Sequence, residues 1–414
     1  MERGVGWNRA SSPRLEWNLR RTRILLDIAG APDRRMACVL VAGTKGKGST
    51  TALLASILSA SGVRAGLYTQ PHLQSYRERV RVDGTMIGER AFAAAVAKLR
   101  PRVVRLARLL PSAGAPTTFE LTTALALEHF AASRCEVAIV EVGLGGRYDA
   151  TNAIDPHVSV ITPVSRDHTR ILGTRLDRIA TEKGGILRPG RVAVIAAQRP
   201  VARAAILRAC ERIGAEPRIV TVRGERHPAI GRIALAGAHQ RANAAVAIET
   251  ARALAEHGVA FDERAAGRAL ARVRWPGRFE VLRGRPTIVL DGAHNDASAE
   301  ALARALRDAF PRHKVRFVLG VMADKDARAI VHPLLPLASA VEVTRAPSAR
   351  ALDPRALARL VHGVPARVHE DVAAALAAAR SEVRPNEVVC VTGSLALVGA
   401  AREALGLPVA TRLW

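Results

Sequence analysis

Short runs of apolar and β-branched residues recur along the chain, and each gives way to a stretch rich in Ala and Leu with helical spacing. The first series reads "ACVLVAG", "RAGLYT", "VAIVEVGL", "VSVITPV" and "VAVIAA". Strands that alternate with helices predict a parallel sheet covered on both faces. In such sheets ligands bind beyond the C-terminal ends of the strands, so the loops after these strands are where chemistry is expected. A second series, "PTIVLDG", "VRFVLGV", "AVEVTRA" and "EVVCVTGS", follows "WPGRFEVLRGRP", with helices such as "DASAEALARALRDAF" in between. The Trp-Pro-Gly turn and the Arg/Gly-rich "LRGRP" read as a hinge near residue 283. Two α/β domains are therefore expected, residues 1–282 and residues 283–414.

Length agrees, since 414 residues exceed the usual single domain. Net charge is +25, and only six of the 62 basic residues are lysine. Clustered positive charge attracts phosphates, but no run here reaches the block of like charges that marks a nucleic-acid tail. Aromatic residues make up 3% of the chain, which leaves little material for stacking bases. Cys38, Cys135, Cys210 and Cys390 lie far apart and form no CxxC pair, so they read as reduced core residues of a cytosolic protein. Neither a signal-peptide core nor a run of about 18 apolar residues is visible, which predicts a soluble, cytoplasmic protein.

The first strand runs directly into a glycine loop and a long helix, "VLVAGTKGKGSTTALLASILSASG". Glycines let backbone N–H groups face a phosphate, and the helix N-terminus adds partial positive charge. Lys47 can reach a terminal phosphate, and Ser49 or Thr50 can offer a hydroxyl to magnesium. The strict GxxxxGK[ST] pattern fails, because Val41 stands at its first glycine and Gly48 separates Lys47 from Ser49. The loop is a variant of the phosphate-binding type. Glu141 closes a later strand in "EVGLGGRYDATN", where a carboxylate emerges at the same sheet edge; a solvated turn glutamate is the alternative. "ITPVSRDHTRILG" brings Asp167 and His168 to that edge too. A lone His is usually structural, but one beside a phosphate loop and a carboxylate is a metal candidate, although magnesium prefers oxygen. Lys183, in "TEKGGIL", fits a phosphate contact, a carbamate or a plain surface lysine.

Together these segments resemble the folylpolyglutamate synthase and dihydrofolate synthase family of the Mur ligase superfamily. The likeness spans nearly the whole chain in order, through "GTKGKGST", "GLYTQPHL", "RERVRVDG", "TTFELTTALAL", "EVGLGGRYDATN", "DHTRILG", "TEKGGIL", "LAGAHQRANAAVA", "WPGRFE", "DGAHNDASAEAL", "GVMADKD" and "VTGSLALVG". The resemblance implies a P-loop-type parallel-sheet ATPase domain followed by a smaller Rossmann-like α/β domain. It also implies an ATP- and magnesium-dependent ligase of folate and one-carbon metabolism, which joins L-glutamate to a pterin or folate carboxylate through an acyl phosphate. On this likeness Thr44, Gly46, Lys47, Gly48, Ser49 and Thr50 would hold the phosphates, and Asn243, Arg278, Asp291 and His294 would complete the ATP site. Ser49, Gln70, Glu141 and His168 would meet metal. Lys47, His168 and Lys183 would be catalytic, with Lys183 matching the lysine carried as a carbamate. Phe119 offers a face for a pterin, and a core role for it is equally open. A monovalent cation is left open, and a monomer without nucleic-acid or membrane partners is expected.

Two positions depart from the family pattern: Lys45 stands where Asn is usual, and Gln70 stands where a magnesium-binding serine is usual. An amide oxygen can also ligate magnesium, so Gln70 can keep that role. A cell-wall Mur ligase is disfavoured because only 42 residues precede Gly43. Three readings stay open: a related ligase for another carboxylate, an arginine-rich nucleic-acid-binding P-loop protein, and a degenerate relative.

Overall fold

The computed structural model describes residues 12–221 and 230–414. The N-terminal stretch that lacks a signal-peptide pattern lies partly outside these residues. Eight strands build the first sheet: β1 (Ala37–Ala42), β2 (Ala65–Tyr68), β3 (Val80–Val82), β4 (Thr85–Met86), β5 (Val137–Glu141), β6 (Val158–Ile161), β7 (Val192–Ile195) and β8 (Glu216–Ile219). Their order is β4-β3-β2-β5-β1-β6-β7-β8. Pairing is parallel from β2 across to β8, and β3 and then the edge strand β4 add antiparallel.

Successive side chains of a strand point to opposite faces, and β1 shows what that does here. Cys38, Leu40 and Ala42 enter one core, while Val39 and Val41 enter the other. Both faces are therefore buried, which is why the central strands read as continuous apolar runs. Helices α1 (Ser12–Ile28) and α3 (Thr118–Ala132) supply the first core, and α2 (Lys47–Ala60) packs with α5 (Ala238–Ala255) in the second. Helix α4 (Leu176–Lys183) carries Lys183 beneath the sheet edge.

The second sheet has the order β13-β12-β11-β14-β10-β9. It comprises β9 (Glu280–Leu282), β10 (Ile288–Leu290), β11 (Lys314–Leu319), β12 (Ala338–Val343), β13 (Ala366–Val368) and β14 (Glu387–Thr392), parallel except for β9. Helix α6 (Asp296–Ala309) packs into one of its two cores and α7 (Leu395–Ala404) into the other.

The expected division at residue 283 differs from this arrangement in two details. Strand β9 lies ahead of that boundary yet belongs to the second sheet. At the other end the chain returns to the first domain: the Met86 amide bonds the Thr411 carbonyl at 2.8 Å, and Leu413 is buried in the first-domain core. The domains also touch through α7, where a Cβ on Gly399 would lie 2.2 Å from the Leu73 carbonyl oxygen, so only glycine permits this approach. All four cysteines are free and buried, as expected. Among the described residues no helix is long and apolar enough to cross a membrane.

Candidate active site

The glycine loop joins β1 to α2, and its glycines have geometric reasons. Gly46 sits in the left-handed region at φ +79°, and a Cβ there would meet Asn243 Oδ1 at 2.3 Å. A Cβ on Gly43 would fall 1.8 Å from Thr162 Oγ1. The loop is tied down from the β6 side, where the Pro163 carbonyl accepts from the amides of Thr44 (3.0 Å) and Lys45 (3.1 Å). Thr44 Oγ1 adds a bond to the Ser165 carbonyl at 3.1 Å, so this side chain serves the loop itself. Ser49 and Thr50 are buried in the first turn of α2, and Thr50 Oγ1 has no partner. Gly48 lies against the Trp275 ring and Glu141, while Asn243 is buried and donates to Gln240 at 2.9 Å.

Two ammonium groups converge on one carbonyl. Lys47 Nζ lies 3.2 Å and Lys183 Nζ 2.8 Å from the Gly43 oxygen. Burial first, and then the charge of Lys47, pushes Lys183 down to about 7. Lys47 also stands 3.9 Å from Glu141, the last residue of β5. Burial raises the Glu141 carboxyl above its ordinary range, against the pull of Lys47, of the Gln70 amide at 3.0 Å, and of Arg278. The side-chain amide of Gln70 turns toward the Glu141 carbonyl at 3.5 Å, so Gln70 and Glu141 share one corner. Phe119 stands beside them, stacked on Tyr68 with ring centroids 6.2 Å apart and packed partly into the first core.

His168 adopts φ +49° at the start of a short helix after β6. Partial burial and the lysine charges outweigh Asp167 and push its imidazole down to about 4, so it is neutral at neutral pH. A neutral imidazole has a lone pair free for a cation. Asp167 itself works across the domain seam: it takes Lys325 at 2.7 Å and Asn295 Nδ2 at 2.8 Å, both from the second domain. Burial opposes its ionisation, but Lys325 holds the carboxylate well below the usual range.

The remaining second-domain residues meet this edge. Both Asp291 oxygens are engaged by backbone amides, of Phe279 at 2.8 Å and Ala293 at 2.9 Å, which fixes the turn that presents Arg278. Burial raises the Asp291 carboxyl, opposed by Arg278. His294 holds the Gly292 carbonyl through Nδ1 at 2.7 Å and lies 4.0 Å from Asp167; burial, with the charge of Lys45, pushes it down to about 3.

The residues expected from sequence thus form two groups along one sheet edge: Lys47, Gln70, Glu141 and Lys183 with Phe119 on one side, and His294, Asp291 and Arg278 across the seam. Three participants were missed. Lys325 and Asn295 hold Asp167, and Asp149 is a buried carboxylate that accepts from the Leu144 and Thr151 amides and shapes the "GLGG" turn. One signal was available: lysine is scarce, yet four of the six lysines, Lys45, Lys47, Lys183 and Lys325, gather here.

Among the described residues no three His, Cys, Asp or Glu side chains form a metal cluster. The donor set of Ser49, Gln70, Glu141 and His168 has one carboxylate and one imidazole. It suits an ion that keeps water and phosphate oxygens as its other ligands, as magnesium does.

Residues 41–216 match the Mur ligase middle domain, and residues 277–395 match the Mur ligase, glutamate ligase domain. The dihydrofolate synthase/folylpolyglutamate synthase of Bacillus subtilis is 32% identical, over 94% of this chain and 94% of that protein. A protein of Haloferax volcanii described as a probable bifunctional folylpolyglutamate synthase/dihydropteroate synthase is 37% identical over 92% of this chain, which spans only 47% of that longer protein. Among solved structures, the Mycobacterium tuberculosis folylpolyglutamate synthase complexed with ADP superposes with a TM-score of 0.87 at 33% identity, covering 95% of each chain. A bifunctional folylpolyglutamate synthase/dihydrofolate synthase with Mn, AMPPNP and L-glutamate bound gives 0.83 at 30% identity and 94% coverage of each.

Proposed function

The chain belongs to the folylpolyglutamate synthase and dihydrofolate synthase family of Mur ligases, and from that premise we propose how its own residues join L-glutamate to a pterin or folate carboxylate at the expense of ATP. The observation that carries the reading is the seam itself. A glycine loop with two lysines, a buried carboxylate and a neutral histidine lie on one domain, and the other domain closes onto them through Lys325, Asn295 and His294.

Phosphoryl transfer needs positioning and charge neutralisation more than covalent help. Lys47 and the loop amides hold the phosphates, with Ser49 at the start of α2. Glu141, His168 and Gln70 would hold the divalent cation, which would supply charge neutralisation at the transferring phosphoryl group. Transfer to the substrate carboxylate gives an acyl phosphate, and the glutamate amine displaces phosphate to form the amide. Asn243 and Arg278 flank the nucleotide, and Asp291 keeps Arg278 in place. Phe119, backed by the buried Tyr68 ring, offers the face for the pterin. A seam that closes over the loop excludes water from the acyl phosphate. Lys183 has the burial and the lowered affinity for protons that carbamate formation needs, because only a neutral amine reacts with CO2.

Part of the arginine excess is neutralised locally by acidic partners. Arg21 pairs with Glu120, Arg23 with Asp33 and Arg218 with Glu256 in the first domain, and Arg316 pairs with Glu342 in the second. With the family membership, such pairing supports a small-molecule enzyme over a nucleic-acid binder, and a cytoplasmic monomer is part of the same proposal.

The test is phosphate release from ATP and magnesium with L-glutamate and either dihydropteroate or tetrahydrofolate, with the product identified by mass. A gain of one glutamate with matching phosphate release is expected, and the preferred acceptor assigns the step. Nucleotide binding without product on either acceptor would move the assignment to another carboxylate.

A further inference from the structure

The segments "GLYTQPHL" and "VTGSLALVG", far apart in sequence, end at one junction. Leu73 closes the first and lies in the loop after β2, yet it packs against the second-domain core that holds α7. A Cβ on Gly277, in the Trp-Pro-Gly turn, would stand 3.2 Å from both Leu73 Cδ atoms, and one on Gly399, which closes the second segment, would stand 2.2 Å from the Leu73 carbonyl oxygen. Gly277 also needs the left-handed region, at φ +70°. The loop is thus a peg held between the hinge turn and α7. It is a stiff peg, because the Glu78 carboxylate accepts from the amides of Leu73 (3.1 Å), Gln74 (2.9 Å) and Ser75 (2.7 Å).

One buried side chain fastens the peg. Arg402, in the last turn of α7, is 5% exposed, and each nitrogen of its guanidinium donates to a different part of the chain. Nε meets Gln74 Oε1 at 2.9 Å, Nη1 meets Glu280 at the start of β9, and Nη2 meets the Pro408 carbonyl at 2.9 Å. Gln74 Nε2 answers with a bond to the Leu407 carbonyl at 3.1 Å, and the second oxygen of Glu280 accepts from the Gly277 amide at 2.9 Å. Beyond Pro408 the chain runs back to the first domain. There Arg81 donates to the Ala410 and Thr411 carbonyls at 2.7 and 3.3 Å, and the Arg274 amide, directly ahead of the hinge turn, donates to the Leu413 carbonyl at 2.7 Å. Only a planar fork can serve three such partners at fixed angles, which is why an arginine stands here.

The same loop opens at Gln70, whose amide donates to the Glu141 carboxylate at 3.0 Å. We propose that Arg402 is a positioning residue for the reaction: through Gln74 and Leu73 it sets the place of the Gln70–Glu141 corner. The second domain thereby reaches that corner along the loop after β2 as well as across the Asp167 seam. Arg402 acts through the loop and not on the reacting atoms. The proposal rests on the ligase reading of the site. A misplacement of about 1 Å at a reacting centre costs on the order of 100-fold in rate, so a loosened peg is read in turnover rather than in nucleotide affinity.

Gln74→Ala removes both side-chain bonds of the peg and leaves Arg402 on Glu280 and Pro408, so it is the first variant to make. In hydrogen exchange of the full chain followed by mass spectrometry, peptides covering residues 69–75 are expected to exchange on the order of tenfold faster than in the parent, while peptides from β6 and β7 keep the parent's rate. Turnover with ATP, magnesium and L-glutamate on the preferred acceptor is expected to fall on the order of tenfold or more, with the affinity for ADP, titrated without magnesium, within about twofold of the parent. Arg402→Gln is expected to show the same signature, and adding Gln74→Ala to it should cost nothing further, because both changes break one coupling. Unchanged exchange of the loop would overturn the proposal, and so would losses that add in the double variant. Faster exchange across the whole first sheet, or a loss of ADP affinity equal to the loss of turnover, would also overturn it, since either marks a general structural role. If Arg402→Gln fails to fold, Gln74→Ala decides alone. Should the parent form no product with either acceptor, the ligase reading fails, and the exchange rates still decide whether Arg402 holds the loop through Gln74.

Discussion

Replacing Lys183 by Met should stabilise the nucleotide-free protein, and the pH dependence of that gain is its signature. Lys183 is buried and titrates at about 7, against an ordinary 10.5. Each unit is worth about 1.4 kcal/mol, so the full shift corresponds to roughly 5 kcal/mol, of which roughly 4 is felt at pH 7. The unfolded lysine keeps its proton up to about pH 10.5, whereas the folded one releases it above about 7. Between these values the unfolded state binds more protons, so stability rises with pH, and below pH 7 the whole penalty remains. Lys183→Met loses the bond to Gly43, but that carbonyl still has Lys47 at 3.2 Å, so a net gain of roughly 3 kcal/mol at pH 7 is expected. Urea unfolding in CO2-free buffer, followed by the fluorescence of Trp275 and Trp414 on the first-domain core, reads this out. From pH 7 to 8 the parent should gain roughly 1 to 1.5 kcal/mol, and the variant less than about 0.5, the remainder coming from Lys45, which burial pushes down to about 8. Parallel curves, or a variant less stable than the parent at pH 7, would refute the reasoning.

Two further outcomes follow from the geometry. Lys47→Ala should lower ATP-dependent amide formation by at least about 100-fold while far-ultraviolet circular dichroism stays that of the parent, because the loss falls on phosphate charge rather than on packing; retained turnover would remove Lys47 from the phosphates. Glu141→Ala and His168→Ala should each shift the magnesium dependence of activity to concentrations at least about tenfold higher or abolish activity, and unchanged titrations in both would place the cation elsewhere.

The parts of this site that were legible in the sequence are those carried by contiguous residues. A fully apolar strand, a loop whose glycines face Thr162 and Asn243, and a helix that begins at Lys47 leave one physical solution, so β1, the loop and α2 could be placed without coordinates. Glu141 was legible for the same reason, as the polar end of a buried strand. Short strands at or next to the sheet edges were not: "VRV", "EPRI" and "ARV" are too brief or too polar to show a period. Asp167 was seen to reach the edge, but its partner Lys325 lies 158 positions away, and no local pattern reports a pairing across that distance. The return of the C-terminus is equally silent, because Leu413 in the first core with Trp414 packed against it leaves no periodic trace. Lys183 as a surface residue was excluded only by its burial, which depends on how α4 lies beneath the loop.

The few lysines of this chain are not spread evenly. Arginine fills nearly every basic position of the chain, and the two lysines away from the site, Lys98 and Lys314, are exposed. A chain this biased keeps lysine at four positions around one loop because a guanidinium cannot do the same work there. Arginine stays protonated throughout the accessible pH range, and its planar fork needs room for five donors. Several permanent charges around the Gly43 carbonyl would repel one another without relief, whereas an ammonium can shed its proton when crowded and regain it when an anion arrives. Lys183→Arg should therefore do the opposite of Lys183→Met: its charge penalty stays fixed while the lysine sheds its own as pH rises, so the deficit against the parent should be below about 1 kcal/mol at pH 7 and widen to roughly 2 to 3 kcal/mol by pH 9. Lys98→Arg, on an exposed helix face, should change stability by less than about 0.5 kcal/mol and serves as the control. An arginine at position 183 that is tolerated as well as the one at 98 would mean that the pocket beneath the loop relaxes or admits water, and the crowding argument would then fail for Lys45 as well.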